Sequence, residues 1–167
     1  MYDVIVVGAR VAGAPTAMLL ARKGYKVLLV DKSTFPSDML SSTLLIWPPG
    51  IALLQHWGVL AQLQASQCPP LTRYRAYLGA PFDNTPALII DGAPTPTPLE
   101  GMSTSYAPRR TVLDTLLVDA ALAAGVTLYE GFTVDQVLLE EGRVVGYVRA
   151  DPDGRAGHGA GDPGHRR

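Results

Sequence analysis

Three positions near the start of the chain have the residue types and spacing to hold a phosphate and a ribose. Gly8 and Gly13 lie five residues apart in "VIVVGARVAG", and Asp31 closes "KVLLVD" 23 positions after Gly8. In a G-x-G-x-x-G loop the first glycine makes a tight turn, the second lets backbone approach a pyrophosphate, and the third allows close helix–strand packing. A carboxylate roughly 20 residues on accepts hydrogen bonds from the ribose hydroxyls. Here the middle glycine is Arg10, so two of the three glycine requirements are met. The helix that follows still turns unpaired N–H groups and the positive end of its dipole toward an anion, and Arg10 adds charge beside it.

These residues need a strand, a helix and a second strand to position them. Tyr2 to Val7 is a valine-rich apolar run of the kind buried on both faces of a parallel sheet. Val11 to Lys23 reads as a helix with Pro15 in its first turn, where a missing N–H costs little, and with Gly24 as its stop. Lys26 to Asp31 is a second buried strand, completing a βαβ unit of about 30 residues. Further on, Ile51 to Trp57 reads as a short helix stopped by Gly58, and Leu71 to Leu78 and Ala87 to Ile90 have strand character. A proline-rich loop leads to an amphipathic helix whose apolar stripe is Val112, Leu113, Leu116, Leu117 and Ala120, ended by Gly125. Val126 to Glu130 is a third strand, and Thr133 to Glu140 pairs with Val144 to Arg149 around "EEGR".

Composition narrows the chemistry. Fourteen basic against fifteen acidic residues leave a net charge of −1, which gives no field to attract nucleic acid or an anionic membrane. The single cysteine, Cys68, sits before Pro69 and Pro70 and has no thiol partner, which suits a reducing cytoplasm and a metal-free chain. No apolar run approaches the roughly 18 residues of a membrane span, and no signal peptide precedes the first strand. A soluble cytoplasmic protein acting on a small molecule is the expectation.

Three quoted stretches carry a family resemblance: residues 3–42, "PPGIALLQHWGVL", and "APRRTVLDTLLVDAALAAGVTLYEGFTVDQVLLEEGRVVG". Together they resemble the N-terminal half of the FAD-dependent monooxygenases and reductases, a group that includes aromatic hydroxylases, geranylgeranyl reductases and flavin-dependent halogenases. The likeness runs to about residue 149, and an arginine at the middle-glycine position is tolerated in that family. By this resemblance Gly8, Arg10, Val11, Ala12 and Gly13 hold the FAD pyrophosphate, Asp31 the adenosine ribose, and Lys32 flanks the adenine. The segment "RRTVLD" is similar to the family's R-x-x-[LF]-D helix start, implying a cofactor contact for Arg110 and a weaker one for Arg109. Val134 would meet adenine through its backbone, though as bare sequence it is equally a core valine. Ser41 and Ser42 are loose flavin-side candidates in a stretch that also reads as a plain polar loop. Trp47, Trp57, Tyr74 and Tyr77 read as pocket lining or, more simply, as core, and His56 as structural or exposed. No Ser/His/Asp arrangement and no paired carboxylates stand out, as expected where a cofactor carries the chemistry.

The implied architecture is α/β: a Rossmann-like FAD-binding domain with a parallel sheet, a βαβ start and a β-hairpin, incomplete at its C-terminal end, with the beginning of a mixed β substrate domain inserted. Residues 1–70 and 106–150 form the FAD-binding parts and 71–105 the insertion. The D-G segment and the later G-D stretch of the family are missing, leaving strand one with an open edge and the chain prone to aggregate. From Asp151 the composition turns to glycine, proline, histidine and charge, with no aliphatic residue larger than alanine. Such a tail cannot offset its ordering entropy and is expected to be disordered. Its abrupt onset resembles coding sequence read out of frame, so a frameshift truncation is expected, with a deliberate glycine-rich tail as the rival.

The implied activity is a flavoprotein oxidoreductase with FAD reduced by NAD(P)H, followed by oxygenation or reduction of a small hydrophobic or aromatic substrate. The alternatives are an NAD(P)-dependent dehydrogenase and a nucleotide-binding fragment without catalysis.

Overall fold

The computed structural model describes residues 2–40, 44–79, 86–99, 101–149 and 157–158. In chain order the elements are β1 (Val4–Val7), α1 (Gly13–Arg22), β2 (Val27–Val30), α2 (Pro48–Trp57), α3 (Leu60–Ala65), β3 (Pro70–Leu71), β4 (Tyr74–Gly79) and β5 (Pro86–Gly92). They continue with β6 (Ser105–Tyr106), α4 (Arg110–Ala123), β7 (Thr127–Tyr129), β8 (Val134–Glu140), β9 (Arg143–Arg149) and β10 (Gly157–His158). The chain divides into two compact units, residues 1–38 with 113–167, and residues 39–112.

The first unit is built on a parallel sheet in the order β1-β2-β7, in which β1 and β2 pair as the βαβ reading expects. Val4 to Val7 pair in register with Val27 to Val30, and Leu28 to Val30 pair with Thr127 to Tyr129. All four residues of β2 are buried, because it is the middle strand and both of its faces are covered. On one face Leu28 and Val30 pack with Phe132, and Tyr129, Val134 and Tyr147 close over that cluster. Phe132 and Tyr147 meet edge to face, their centroids 5.3 Å apart. The β8–β9 hairpin thus covers β2. In β1, Ile5 and Val7, the register partners of Leu28 and Val30, stay exposed.

Helix α4 corrects the sequence reading of its buried face. Leu113, Leu117, Val118 and Ala121 are buried together with Asp114, whereas Val112, Leu116 and Ala120 are only half-buried. The buried stripe is the expected one moved on by one residue, a rotation of about 100° about the axis. A hydrophobic count cannot find that face, because one of its fully buried members is a carboxylate.

The second unit contains α2, which ends at Gly58 in the left-handed conformation (φ 79°), and α3, which the sequence reading did not anticipate. Its core is Ile51, Ala52, Leu54, Val59, Leu60, Leu63 and Tyr106. Two antiparallel pairs complete it, β3 with β6 and β4 with β5. Ser41 and Ser42 lie outside the described residues. Of the tail, Gly157–His158 pair antiparallel with Arg149 and Val148, and the other residues for which disorder was expected lie outside the described set.

Candidate functional site

The loop between β1 and α1 is shaped by its two glycines. Gly8 takes φ +100°, a conformation that L-side chains rarely adopt, and turns the chain off the sheet. A Cβ on Gly13 would stand 1.7 Å from the Gly8 carbonyl oxygen, so the start of α1 lies directly against the turn. The third fingerprint glycine is therefore required by contact. Helix α1 has no side-chain N-cap and no acidic residue in its first turn, which leaves its positive end uncompensated. Val11 and Ala12 are exposed, and among the described residues their amides meet no acceptor.

Asp31, immediately after β2, is buried and bound to the same loop. Its Oδ2 accepts the Ala9 amide at 2.6 Å and its Oδ1 accepts the Ser33 amide at 2.8 Å. A carboxylate has about four acceptor sites, so both oxygens retain capacity for hydroxyl donors. Lys32, the next residue, is exposed, and Val134 is half-buried against the Leu28, Val30 and Phe132 cluster.

The Arg10 side chain turns into a network of its own. Nη1 donates to Asp114 Oδ2 at 2.6 Å, and Nη2 donates to Ser37 Oγ at 2.8 Å and Ser33 Oγ at 3.2 Å. The guanidinium carbon lies 5.4 Å from the centroid of the buried Phe35 ring, within cation–π range. The Phe35 amide in turn donates to Glu130 Oε1 at 2.7 Å. Asp114 is fully buried, and Arg10 neutralises it. Asp114, Ser33, Ser37 and Phe35 are site residues that sequence reasoning missed. For Asp114 the signal was present, as the acidic end of "RRTVLD".

Arg109 and Arg110 fall in the second unit and differ from each other. Arg109 is exposed before α4, while Arg110 is the first residue of the helix and is 7% exposed. Trp47, Tyr74 and Tyr77 are 48%, 36% and 61% exposed, so they are not core. Trp47 and Tyr74 stack edge to face at 5.7 Å. His56 is exposed on α2. Arg73, just before β4, and Arg75 within it both donate to Asp91 of β5, Arg73 through Nε at 2.8 Å. Arg73 first and Arg75 second hold the Asp91 carboxyl below its ordinary value, and Asp91 raises both guanidiniums. Among the described residues no cluster of His, Cys, Asp or Glu could hold a metal ion. None of the described helices is long and apolar enough to cross a membrane.

Comparison with known proteins gives this geometry a context. A family model described as FAD binding domain matches residues 1–158. A probable electron transfer flavoprotein-quinone oxidoreductase of Escherichia coli is 32% identical over 151 residues, covering 89% of this chain and 32% of that protein. Squalene monooxygenase of Candida glabrata is 30% identical over 105 residues, covering 54% of this chain and 21% of that enzyme. Among solved structures, the FAD-dependent chondrochloren halogenase of a myxobacterium superposes with a TM-score of 0.76 at 23% identity. That superposition covers 93% of this chain and 34% of the halogenase. Aklavinone-11 hydroxylase, in complex with FAD and aklavinone, superposes at 0.65 with 22% identity over 92% of this chain and 30% of its own. The two halogenase and hydroxylase superpositions speak to fold. The chain spans about a third or less of the length of these relatives.

Proposed function

The chain belongs to the FAD binding domain family, and from that premise we propose that it is the FAD-binding portion of an NAD(P)H-dependent monooxygenase or reductase. The observation that carries this reading is the β1–α1 loop. Its Gly8–Gly13 contact presents the Val11 and Ala12 amides and an uncapped helix end to an anion, with a ribose-type carboxylate bonded to the same loop. These are the demands of a pyrophosphate next to a ribose.

When bound, FAD supplies the hydride and oxygen chemistry, and the protein supplies binding, orientation and electrostatics. Gly8 to Gly13 hold the pyrophosphate in this reading, Asp31 accepts the ribose hydroxyls, and Lys32 and Val134 border the adenine. Arg110 is a cofactor contact and Arg109 a weaker one. Residues 1–70 and 106–150 form the cofactor-binding parts and 71–105 begin a substrate domain for a small hydrophobic or aromatic molecule, in the reducing cytoplasm that suits the lone Cys68. A second reading is a nucleotide-binding module without catalysis of its own, since the described site holds groups for a phosphate and a ribose only.

Titration of the purified chain with FAD, followed by quenching of flavin fluorescence, tests the reading. Saturable quenching that Asp31→Ala weakens about tenfold, the size of a lost charged hydrogen bond, is expected. A chain that ignores FAD but binds NADH would instead mark a nicotinamide-dependent dehydrogenase. Bleaching of bound flavin by NADH separates the oxidoreductase from the module, and for this chain alone the expected result is weak binding without turnover.

A further inference from the structure

We propose that Arg10 is a positioning residue, which fixes the β1–α1 loop through Asp114 and leaves phosphate recognition to the backbone. This rests on the FAD reading above. The middle position of the loop is where a glycine ordinarily lets backbone approach the pyrophosphate. A long cation there creates two problems: bulk beside the anion, and positive charge at the positive end of α1, which opposes the helix dipole. The structure answers both. The side chain is drawn away from the loop's amides, with three N–H groups of the guanidinium committed to Asp114, Ser33 and Ser37. Its charge is met by a fully buried carboxylate, and its central carbon lies over the Phe35 ring.

The geometry makes Arg10 a tie among three segments of the first unit. It joins the β1–α1 loop to α4 at Asp114 and to residues 33–37, the segment entered through Asp31. The tie holds the backbone amides of Val11 and Ala12 in a fixed relation to the Asp31 carboxylate, which itself accepts the Ala9 amide. A planar, forked donor suits this task, whereas a lysine ammonium supplies charge without the fork.

The test compares FAD dissociation constants of the full chain with those of Asp114→Asn, Arg10→Lys, Ser37→Ala and the double variant Arg10→Gln/Asp114→Asn. Each titration is run where far-UV circular dichroism shows the variant folded, at low and high salt. If Arg10 positions the loop, Asp114→Asn and Arg10→Lys each weaken FAD binding about tenfold, a coupling of ordinary size. The double variant is then no weaker than either single one, and Ser37→Ala, which keeps the buried pair, weakens binding about twofold. If Arg10 instead contacts phosphate, Asp114→Asn frees it and leaves binding unchanged or tighter, Arg10→Lys keeps most affinity, and loss of Arg10 flattens the salt dependence. That result overturns the proposal. So does a lowered melting temperature with unchanged dissociation constants, the mark of a merely structural pair. Failure of the unsubstituted chain to bind FAD removes the cofactor reading and this proposal together, whereas binding indifferent to Asp114 removes this proposal alone.

Discussion

At the scale of single residues, the site is governed by what a side chain would displace. Position 13 has no room for a methyl group, since the nearest obstacle is the backbone carbonyl of Gly8, which cannot rotate away as a flexible side chain would. Gly13→Ala must push α1 off the turn or unwind its first residues. Overpacking of this kind typically costs about 1–3 kcal/mol, and contact with backbone places it at the upper end. Urea unfolding monitored by circular dichroism is expected to show a loss of about 3 kcal/mol for Gly13→Ala. A loss near zero would mean that α1 does not seat on Gly8. Asp31 and Asp114 show the complementary case, in which burial is acceptable because donors are waiting. Asp31 meets two backbone amides, and Asp114 meets a guanidinium.

At the scale of elements, α4 is where pattern and structure part. Its periodicity gives the right helix and the right stop at Gly125, yet the buried face sits one residue on, because Asp114 belongs to it. The two faces predict different costs of truncation. Leu117→Ala removes a buried side chain and is expected to cost about 2–5 kcal/mol, whereas Leu116→Ala, half-buried, costs about 1 kcal/mol. Thermal unfolding of the two variants decides between the faces, and equal losses would return the stripe to its hydrophobic phase. The β1, α1 and β2 elements were legible because their signals are local: a valine run, a proline in the first turn, a glycine stop. Helix α3 was not, since "LAQLQA" is short, one-third polar and lacks a side-chain cap at Val59. The β3–β6 pair joins residues about 35 apart through two-residue strands, and no local period encodes such a contact. The glycines and Asp31 of the site were legible for the same reason as the βαβ unit. The Arg10 network was not, because its partner lies 104 positions away.

At the scale of the molecule, the apolar surface is unevenly covered. In the first unit the hairpin and Phe132 close over Leu28 and Val30 but leave Ile5 and Val7, on the same face of the neighbouring strand, 38% and 60% exposed. In the second, Leu88 and Ile89 are successive strand residues and so point to opposite faces of the β4–β5 ribbon, and both are about half exposed. Two-stranded ribbons are marginal alone, and exposed apolar strands are templates for association. The chain is therefore expected to self-associate as its concentration rises, read as a growing weight-average mass by light scattering on a size-exclusion column. Ile5→Lys places a charge on the β1 face outside the cofactor loop and tests which surface is responsible. If β1 drives association, Ile5→Lys shifts the mass toward that of one chain and Ile89→Lys does not. The reverse result assigns association to the ribbon, and a monomer at all concentrations would show that neither surface is sticky enough to matter. The β1 outcome has a further consequence, because β1 leads straight into Gly8. Association through its face would compete with ordering of the loop, and saturating FAD, which stabilises the bound form by about 2.7 kcal/mol at a hundredfold excess over its dissociation constant, would then reduce the mass.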